Sequence, residues 1–110
     1  MNADFNVREF DNIVIVDLPE RVVKGGDDLR LKNKLMQVIE MEKNVGINMK
    51  ATAFIDSGIV IALLSAEKRI QQFGKKIYLI SPSEQARELL TVTSIHHIIP
   101  IVDKEEDIIA

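Results

Sequence analysis

The sequence has no cysteine, which excludes disulfide bridges, thiolate metal sites and a thiol nucleophile. Long apolar runs are also missing. The longest one, Ile59 to Leu64, has six residues, whereas a membrane-spanning helix needs about 20. No N-terminal segment joins a basic flank to a long apolar stretch, so we expect no signal peptide. Together these absences predict a cytoplasmic domain that does not insert into a membrane.

Basic residues do not outnumber acidic residues either. The chain has 14 lysines and arginines against 17 acidic residues, a net charge of −3. Binding to a nucleic-acid backbone usually needs a basic face, so nucleic acid is not an expected partner. The composition, 46% hydrophobic and 28% charged, is that of a globular protein. A length of 110 residues predicts a single domain spanning 1–110.

The apolar residues predict strands that alternate with helices along the chain. β-Branched and alternating runs predict the strands, and recurrence every three or four residues predicts the helices. This alternation favours a mostly parallel sheet, to which an initial hairpin adds one antiparallel strand. The predicted class is α/β in the order β-β-α-β-α-β-α-β-α, with four to five strands and four helices. The expected strands are 5–10, 13–16, 45–49, 77–80 and 98–102, and the expected helices start near 27, 58, 81 and 103.

Capping residues mark several of these helix ends. Asp27 or Asp28 can cap the first helix, and Gly74 is suited to end the second. Ser81-Pro82-Ser83-Glu84 predicts the start of the third helix: Ser81 as the cap, Pro82 as the first helical residue and Glu84 closing a capping box. Asp103 is the expected cap of a last helical stretch through Ile109.

The segment Asp56-Ser57-Gly58 stands where an apolar strand gives way to a helix. The strand Val45 to Met49 ends shortly before it, and the helical pattern from Ile59 to Phe73 follows. Such a junction places the Ser57 hydroxyl at a helix N-terminus, where backbone N–H groups and the helix dipole favour negative charge. The serine can be a simple helix cap, or a hydroxyl that gains a phosphate and changes a surface.

Patterns typical of enzymes are weak or missing. His96-His97 lack a spaced third metal ligand. Gly25-Gly26 match neither the P-loop nor the dinucleotide-binding pattern, and Ser57 lies in no G-x-S-x-G elbow. Asp56 could suggest the phosphoacceptor of a receiver domain, but the loop Leu18-Pro19-Glu20-Arg21 lacks the acidic pair that such domains need. We therefore expect no enzymatic activity, no cofactor and no metal.

The segment Phe54-Ile55-Asp56-Ser57-Gly58-Ile59 resembles the core motif of STAS domains of the anti-sigma factor antagonist family. That motif follows an apolar strand and has an aspartate, a serine, a small residue and a glycine before the helix. Phe73-Gly74 precedes the strand Ile77 to Ile80 at the family's spacing, and Ile98-Ile99-Pro100-Ile101 resembles its apolar-Pro-apolar ending. The resemblance spans essentially the whole chain and implies a STAS-like fold.

The resemblance also implies a protein-binding switch in signal transduction and transcription regulation. In the family, a serine-kinase anti-sigma factor phosphorylates the serine directly after the aspartate, which is Ser57 here. The unphosphorylated domain binds the kinase and frees the sigma factor, whereas the phosphorylated domain is released until a phosphatase restores it. We expect a monomer or a weak dimer. The implied partner surface comprises Phe54, Asp56, Gly58, Ile59, Val60, Val23, Ser81, Pro82 and Ser83.

Two departures from the family pattern favour an alternative. Members often have Gly-Glu-Leu-Asp at the end of the second strand, but the segment 19–23 here reads Pro-Glu-Arg-Val-Val. The family's Gly-Leu-Gly after the serine is replaced by Ile59-Val60-Ile61. The alternative is a STAS scaffold or accessory subunit of a stressosome-like assembly or a lipid-transport complex, which needs no phosphorylation. A small enzyme or nucleotide-binding domain is the third hypothesis.

Overall fold

The computed structural model describes residues 5–22 and 26–109, so Val23 of the expected partner surface lies outside the described residues. Strands and helices alternate along the chain, as the sequence predicts. In chain order the elements are β1 (Asn6–Glu9), β2 (Ile13–Asp17), β3 (Arg21–Val22), α1 (Asp27–Ile39), β4 (Asn44–Asn48), β5 (Phe54–Ile55), α2 (Ser57–Gln71), β6 (Ile77–Ile80), α3 (Glu84–Val92), a 3-10 turn (Ile95–His97), β7 (Ile101–Val102) and a second 3-10 turn (Glu105–Asp107).

Five strands form one mixed sheet in the order β1-β2-β4-β6-β7. The hairpin of β1 and β2 is antiparallel, and the pairings of β2 with β4, β4 with β6 and β6 with β7 are parallel. The expected four to five strands and the initial hairpin are therefore confirmed, but the sheet is mixed and not mostly parallel as predicted, because the hairpin strand β1 runs against the others. Two further strands, β3 and β5, pair in parallel as a separate sheet. The sequence does not predict them, because two residues are too short to show an apolar period.

The main core lies between the sheet and the helices. Alternate apolar residues of the three central strands face it: Val14 and Val16 of β2, Val45 and Ile47 of β4, and Ile77 and Leu79 of β6. The four α1 positions expected on one face, Leu31, Leu35, Val38 and Ile39, are all buried in this core. Full burial of each such side chain stabilises the fold by roughly 1.5–3 kcal/mol. This layer fixes the helices on the sheet and thereby fixes the N-terminus of α2.

The opposite sheet face has a smaller apolar layer. Ile13, Ile15 and Ile80 form its buried part, and Ile108 of the C-terminal segment packs against them. Gly46 lies beneath this layer: a Cβ atom there would approach Ile15 Cδ1 to 2.7 Å and Ile80 Cδ1 to 2.8 Å. Only a residue without a side chain lets these isoleucines close over β4.

A polar cluster ties the C-terminal segment to the hairpin. Arg8 Nη2 lies 2.7 Å from Asp17 Oδ1, and Arg8 Nη1 lies 2.9 Å from Glu105 Oε2. Asn48 Nδ2 donates a further hydrogen bond to Asp17, at 2.8 Å. The hydrogen bonds from Arg8 lower the pKa of both carboxyl groups. Both carboxylates therefore stabilise the fold when ionised.

The third helix starts later than expected. Its cap is Ser83, whose Oγ accepts a hydrogen bond from Ala86 N at 3.2 Å. Ser81 has a left-handed φ of 52° and its hydroxyl donates to the Asp103 carbonyl. The predicted cap at Ser81, the predicted helical Pro82 and the predicted capping box of Ser81 with Glu84 are therefore wrong, since Glu84 is the first helical residue. Both serines satisfy a capping pattern, but the Ser81 hydroxyl bonds to Asp103 instead of to the helix.

Other helix ends and the last strand also differ from expectation. Gly26 precedes α1 and no side chain caps this helix; Asp28 instead accepts from Gly26 N. The expected fourth helix is only the 3-10 turn Glu105–Asp107, so the described residues contain three α-helices. The strand expected over 98–102 shortens to Ile101–Val102, because the preceding 3-10 turn extends its hydrogen bonds to Ile98 and Ile99. The predicted stop at Gly74 is confirmed, with a φ of 70°.

Candidate functional site

The N-terminus of α2 presents Ser57 to solvent. Asp56, and not Ser57, is the helix cap: its Oδ1 accepts from Gly58 N at 3.1 Å and from Ile59 N at 3.3 Å. Ser57 is the first helical residue and is exposed. Within the described residues its hydroxyl makes no hydrogen bond. Capping thus falls to Asp56, and the Ser57 hydroxyl is available for chemistry.

The strand β5, directly before Asp56, is held on both sides. On one side it pairs with β3, with Val22 opposite Ile55. On the other side the Gln85 side chain forms two hydrogen bonds with the Ile55 backbone. Ile55 N donates to Gln85 Oε1, and Gln85 Nε2 donates to the Ile55 carbonyl, both at 3.0 Å. The position of Ser57 therefore depends on α3 as well as on its own helix.

The loops that lead into the site are fixed by polar contacts. The buried Thr52 hydroxyl donates to the Pro19 carbonyl at 2.7 Å. Ala53 N donates to the Glu20 carbonyl at 2.9 Å, and Ser83 Oγ donates to the Ala53 carbonyl at 3.2 Å. These bonds join the segments after β2 and β4 to the start of α3, next to the surface around Ser57.

The apolar part of the site differs from the expected one. Ile59 is 0% and Val60 4% exposed, so both face the core and neither side chain can contact a partner. The prediction of a contact surface from these two residues is wrong, because the unbroken run 59–64 conceals which side of the helix is buried. The exposed apolar residues are instead Phe54 at 39%, Ile61 at 65% and Leu64 at 37%.

A shallow groove between α1 and α2 begins beside Ser57. It has a volume of about 210 Å³ and runs past Gly58 along Ile61, Ala62 and Ser65. From α1, Leu29 contributes an exposed apolar side chain to the same groove. Asp28 and Lys32 also line it, so the groove offers a partner a partly apolar surface next to the serine.

Arg21 adds a cation to the site that the sequence does not reveal. It lies opposite Phe54 in the pairing of β3 with β5, and its Cζ lies 5.6 Å from the Phe54 ring centroid. Such a contact is worth roughly 0.5–1 kcal/mol at an exposed position. The only sequence signal is that this segment departs from the family's acidic pattern, and the contact itself depends on pairing between distant residues.

Ser81, Pro82 and Ser83, the three residues before α3, have different surroundings in the structure. Ser83 contacts Ala53 and so belongs to the surroundings of the site. Pro82 is buried, and Ser81 contacts the C-terminal segment through Asp103. Of this predicted group, only Ser83 is joined to the Ser57 surface by a hydrogen bond to the loop before β5.

The described residues show little that would support other classes of site. Within them, no group of three His, Asp or Glu side chains is placed to hold a metal ion. His96 and His97 lie in a 3-10 turn with ring centroids 4.0 Å apart. No helix in the described part of the chain has the length and apolar character to cross a membrane.

The fold and the Asp56-Ser57 junction agree with one protein family. The STAS domain model matches residues 4–108. The chain belongs to the STAS domain family. No curated protein sequence matches this STAS domain.

Solved structures with low sequence identity share its fold. An anti-sigma-factor antagonist (STAS) domain protein from Planctomyces limnophilus has a TM-score of 0.85 at 20% identity, covering 96% of this chain and 94% of that chain. The phosphorylated form of the Bacillus cell fate determinant SpoIIAA has a TM-score of 0.72 at 17% identity, covering 96% of each chain. The murine anion transporter Slc26a9 contains the fold in 17% of its chain, with a TM-score of 0.71, 14% identity and 91% of this chain covered.

Proposed function

We propose that this STAS domain is an anti-sigma factor antagonist whose binding is switched by phosphorylation of Ser57. The observation that carries the proposal is the exposed Ser57 hydroxyl, which makes no hydrogen bond within the described residues because Asp56 caps the helix. The expected partners are a serine-kinase anti-sigma factor and a phosphatase. The similarity in fold to phosphorylated SpoIIAA supports the same chemistry.

A phosphate at this position changes the surface more than the fold. It adds about −1.5 to −2 charges at neutral pH. The N-terminus of α2 tolerates this charge because the helix dipole favours anions there. The same charge lies next to the Asp56 carboxylate and near the exposed Phe54 and Ile61 side chains.

A partner that fits the neutral, partly apolar surface would lose affinity once the phosphate is present. The loss arises from desolvation of the phosphate and its repulsion of acidic partner groups. A change of about 3 kcal/mol weakens binding more than a hundredfold. The kinase would then release its product, and the phosphatase would restore the binding surface.

Co-expression with candidate serine-kinase anti-sigma factors from the same genome tests the switch. Intact mass spectrometry is run on wild type, on Ser57→Ala and on Ser65→Ala, a control in the same helix that lines the adjacent groove. We expect one added phosphate on wild type and on the control, and none on Ser57→Ala. A phosphate that persists in Ser57→Ala would contradict the proposed acceptor.

The alternative is a STAS scaffold or accessory subunit that binds without phosphorylation. The exposed apolar side chains of Leu29 and Ile61 in the groove favour it, because burying them can bind a partner without a phosphate. The occurrence of the fold within the transporter Slc26a9 also fits a role inside a larger assembly. Stable co-purification with a non-kinase complex that is unchanged in Ser57→Ala and Ser57→Asp would favour this function.

A further inference from the structure

The strand β1 leaves one side of its backbone unpaired in the described sheet. The hairpin closes with Phe10 N donating to the Ile13 carbonyl at 2.8 Å. Hydrogen-bonded pairs alternate along an antiparallel ladder. The backbone groups of Arg8 and Asn6 therefore face β2, whereas those of Val7 and Glu9 point away from it. Since β1 is the first strand in the sheet order, no described strand pairs with Val7 and Glu9, and among the described residues their backbone groups form an open edge.

A groove of about 550 Å³ runs between this edge and α1. Phe5, Asn6 and Val7 line one wall. The wall from α1 carries Arg30, Asn33, Lys34 and Gln37. Among the described residues the lining contains two cations and no carboxylate, in a protein whose net charge is −3. The groove is thus a local cationic surface.

One of the two cations of the groove has no ion-pair partner among the described residues. Arg30 forms an ion pair with Asp27 in the preceding helical turn. Lys34, one turn further along α1, forms no ion pair with the described residues. A ligand in the groove would therefore meet a lysine with no ion-pair partner among the described residues, beside backbone groups that no described strand pairs.

We propose that an acidic, extended segment of a partner protein adds to β1 as a further strand and places its carboxylates against Lys34 and Arg30. The backbone of Val7 and Glu9 would supply the hydrogen bonds, and the α1 wall would select for negative charge. A second copy of this chain fits poorly. Its β1 strand carries a single acid, Glu9, which already pairs with Lys43 at 2.8 Å.

The proposed strand site is separate from the Ser57 surface. The groove beside Ser57 uses Asp28, Leu29 and Lys32 of α1, whereas the β1 groove uses Arg30 and Lys34. The helix therefore divides two surfaces of different chemistry. Binding at β1 does not depend on the state of Ser57, so this proposal stands or falls independently of the phosphorylation switch.

The probe is an acetylated and amidated peptide in which glutamate and valine alternate over nine residues. Amide hydrogen exchange of the whole protein is followed by NMR with and without saturating peptide. We expect exchange at Val7 and Glu9 to slow by about tenfold or more, because their amides gain partners. Exchange at Asn6 and Arg8 should change little, since their amides already bond to β2.

Two charge reversals on α1 provide the matched comparison. Lys34→Glu should weaken peptide binding by about tenfold or more, because repulsion replaces attraction. Lys32→Glu makes the same change of charge in the other groove and should leave affinity within about twofold. Both side chains lie at the surface, so the variants should fold.

Several results would overturn the proposal. They are the absence of saturable binding at millimolar peptide, equal binding of a peptide with lysine in place of glutamate, and equal losses in the two variants. Protection of Val7 and Glu9 that rises with protein concentration without peptide would assign the edge to a second copy of the chain. It would thereby reject the acidic segment.

Discussion

The two faces of the main sheet are closed in different ways. One face is covered by helices and contains most of the buried apolar side chains. The other has three buried isoleucines, covered mainly by the C-terminal segment, which the Arg8 cluster ties to the hairpin. The site serine stands on a helix of the first face. The contrast indicates that the helical face supplies most of the stability and the rigid platform for Ser57, whereas the second face depends on a few close contacts.

Removing a large side chain from the helical face should have the greatest effect. Leu63 of α2 is fully buried in the main core. Leu63→Ala should lower the free energy of unfolding by about 2–5 kcal/mol, because it removes apolar contacts and leaves a cavity. Urea denaturation measures the loss. The exposed Leu64→Ala is the control, and equal losses in the two variants would contradict the described orientation of α2.

Filling space on the second face should have an intermediate effect. Gly46→Ala would bring a Cβ atom against the Ile15 and Ile80 side chains. We expect a loss of about 1–3 kcal/mol from this overpacking, again measured by urea denaturation. Combining the substitution with Ile15→Val and Ile80→Val should recover part of the loss by removing the two Cδ1 atoms. Stability unchanged by Gly46→Ala would mean that this layer is looser than described.

Shortening one side chain of the C-terminal segment that covers the second face should lower stability less. Ile108 is only partly buried against Ile13, Ile15 and Ile80. Ile108→Ala should therefore destabilise the fold by about 1 kcal/mol, which is below the core values for such truncations. Thermal unfolding would detect this as a drop in Tm of several degrees. A loss as large as that of Leu63→Ala would show that the two faces contribute equally.

The smallest effect should come from acid. The lowered pKa values of Asp17 and Glu105 mean that their contribution is complete at neutral pH. It is lost as the pH falls below about 4 and these carboxylates are protonated. Since the groups are partly exposed, we expect less than about 1 kcal/mol from each ion pair.

Thermal unfolding between neutral pH and pH values near 3 measures this term. The double variant Asp17→Asn and Glu105→Gln should lose less stability on acidification than wild type. Asp103→Asn, which removes a more exposed ion pair with Arg87, is the matched control. Equal acid sensitivity of wild type and the double variant would exclude the Arg8 cluster as the cause.

Sequence periodicity predicts the elements that bury one clear face. The β-branched run of β2 and the spacing of Leu31, Leu35, Val38 and Ile39 are sufficient for that purpose. The position of Ser57 at a strand-to-helix junction is predicted for the same reason. The uniform run 59–64 has no polar residue to mark its outer side, so Ile61 and Leu64 could not be distinguished from Ile59 and Val60.

Other features depend on contacts between distant residues. The strands β3 and β5 form by pairing with each other. Each has only two residues, which is too short for a local sequence pattern to predict a strand. The Arg21 contact with Phe54 follows from that pairing. Ser83 caps α3, whereas Ser81 bonds to Asp103, 22 residues further along the chain, and local capping rules do not include such a distant contact.

Gln85 acts as a substitute for a third strand beside β5. Its amide supplies one donor and one acceptor to Ile55, as a neighbouring peptide unit would. Glutamate at this position has no N–H to donate to the Ile55 carbonyl. Asparagine has both groups, but its side chain is one methylene shorter. The strand that leads to Ser57 is thus fixed by β3 on one side and by the length and polarity of a single side chain on the other, so the position of the serine is coupled to α3.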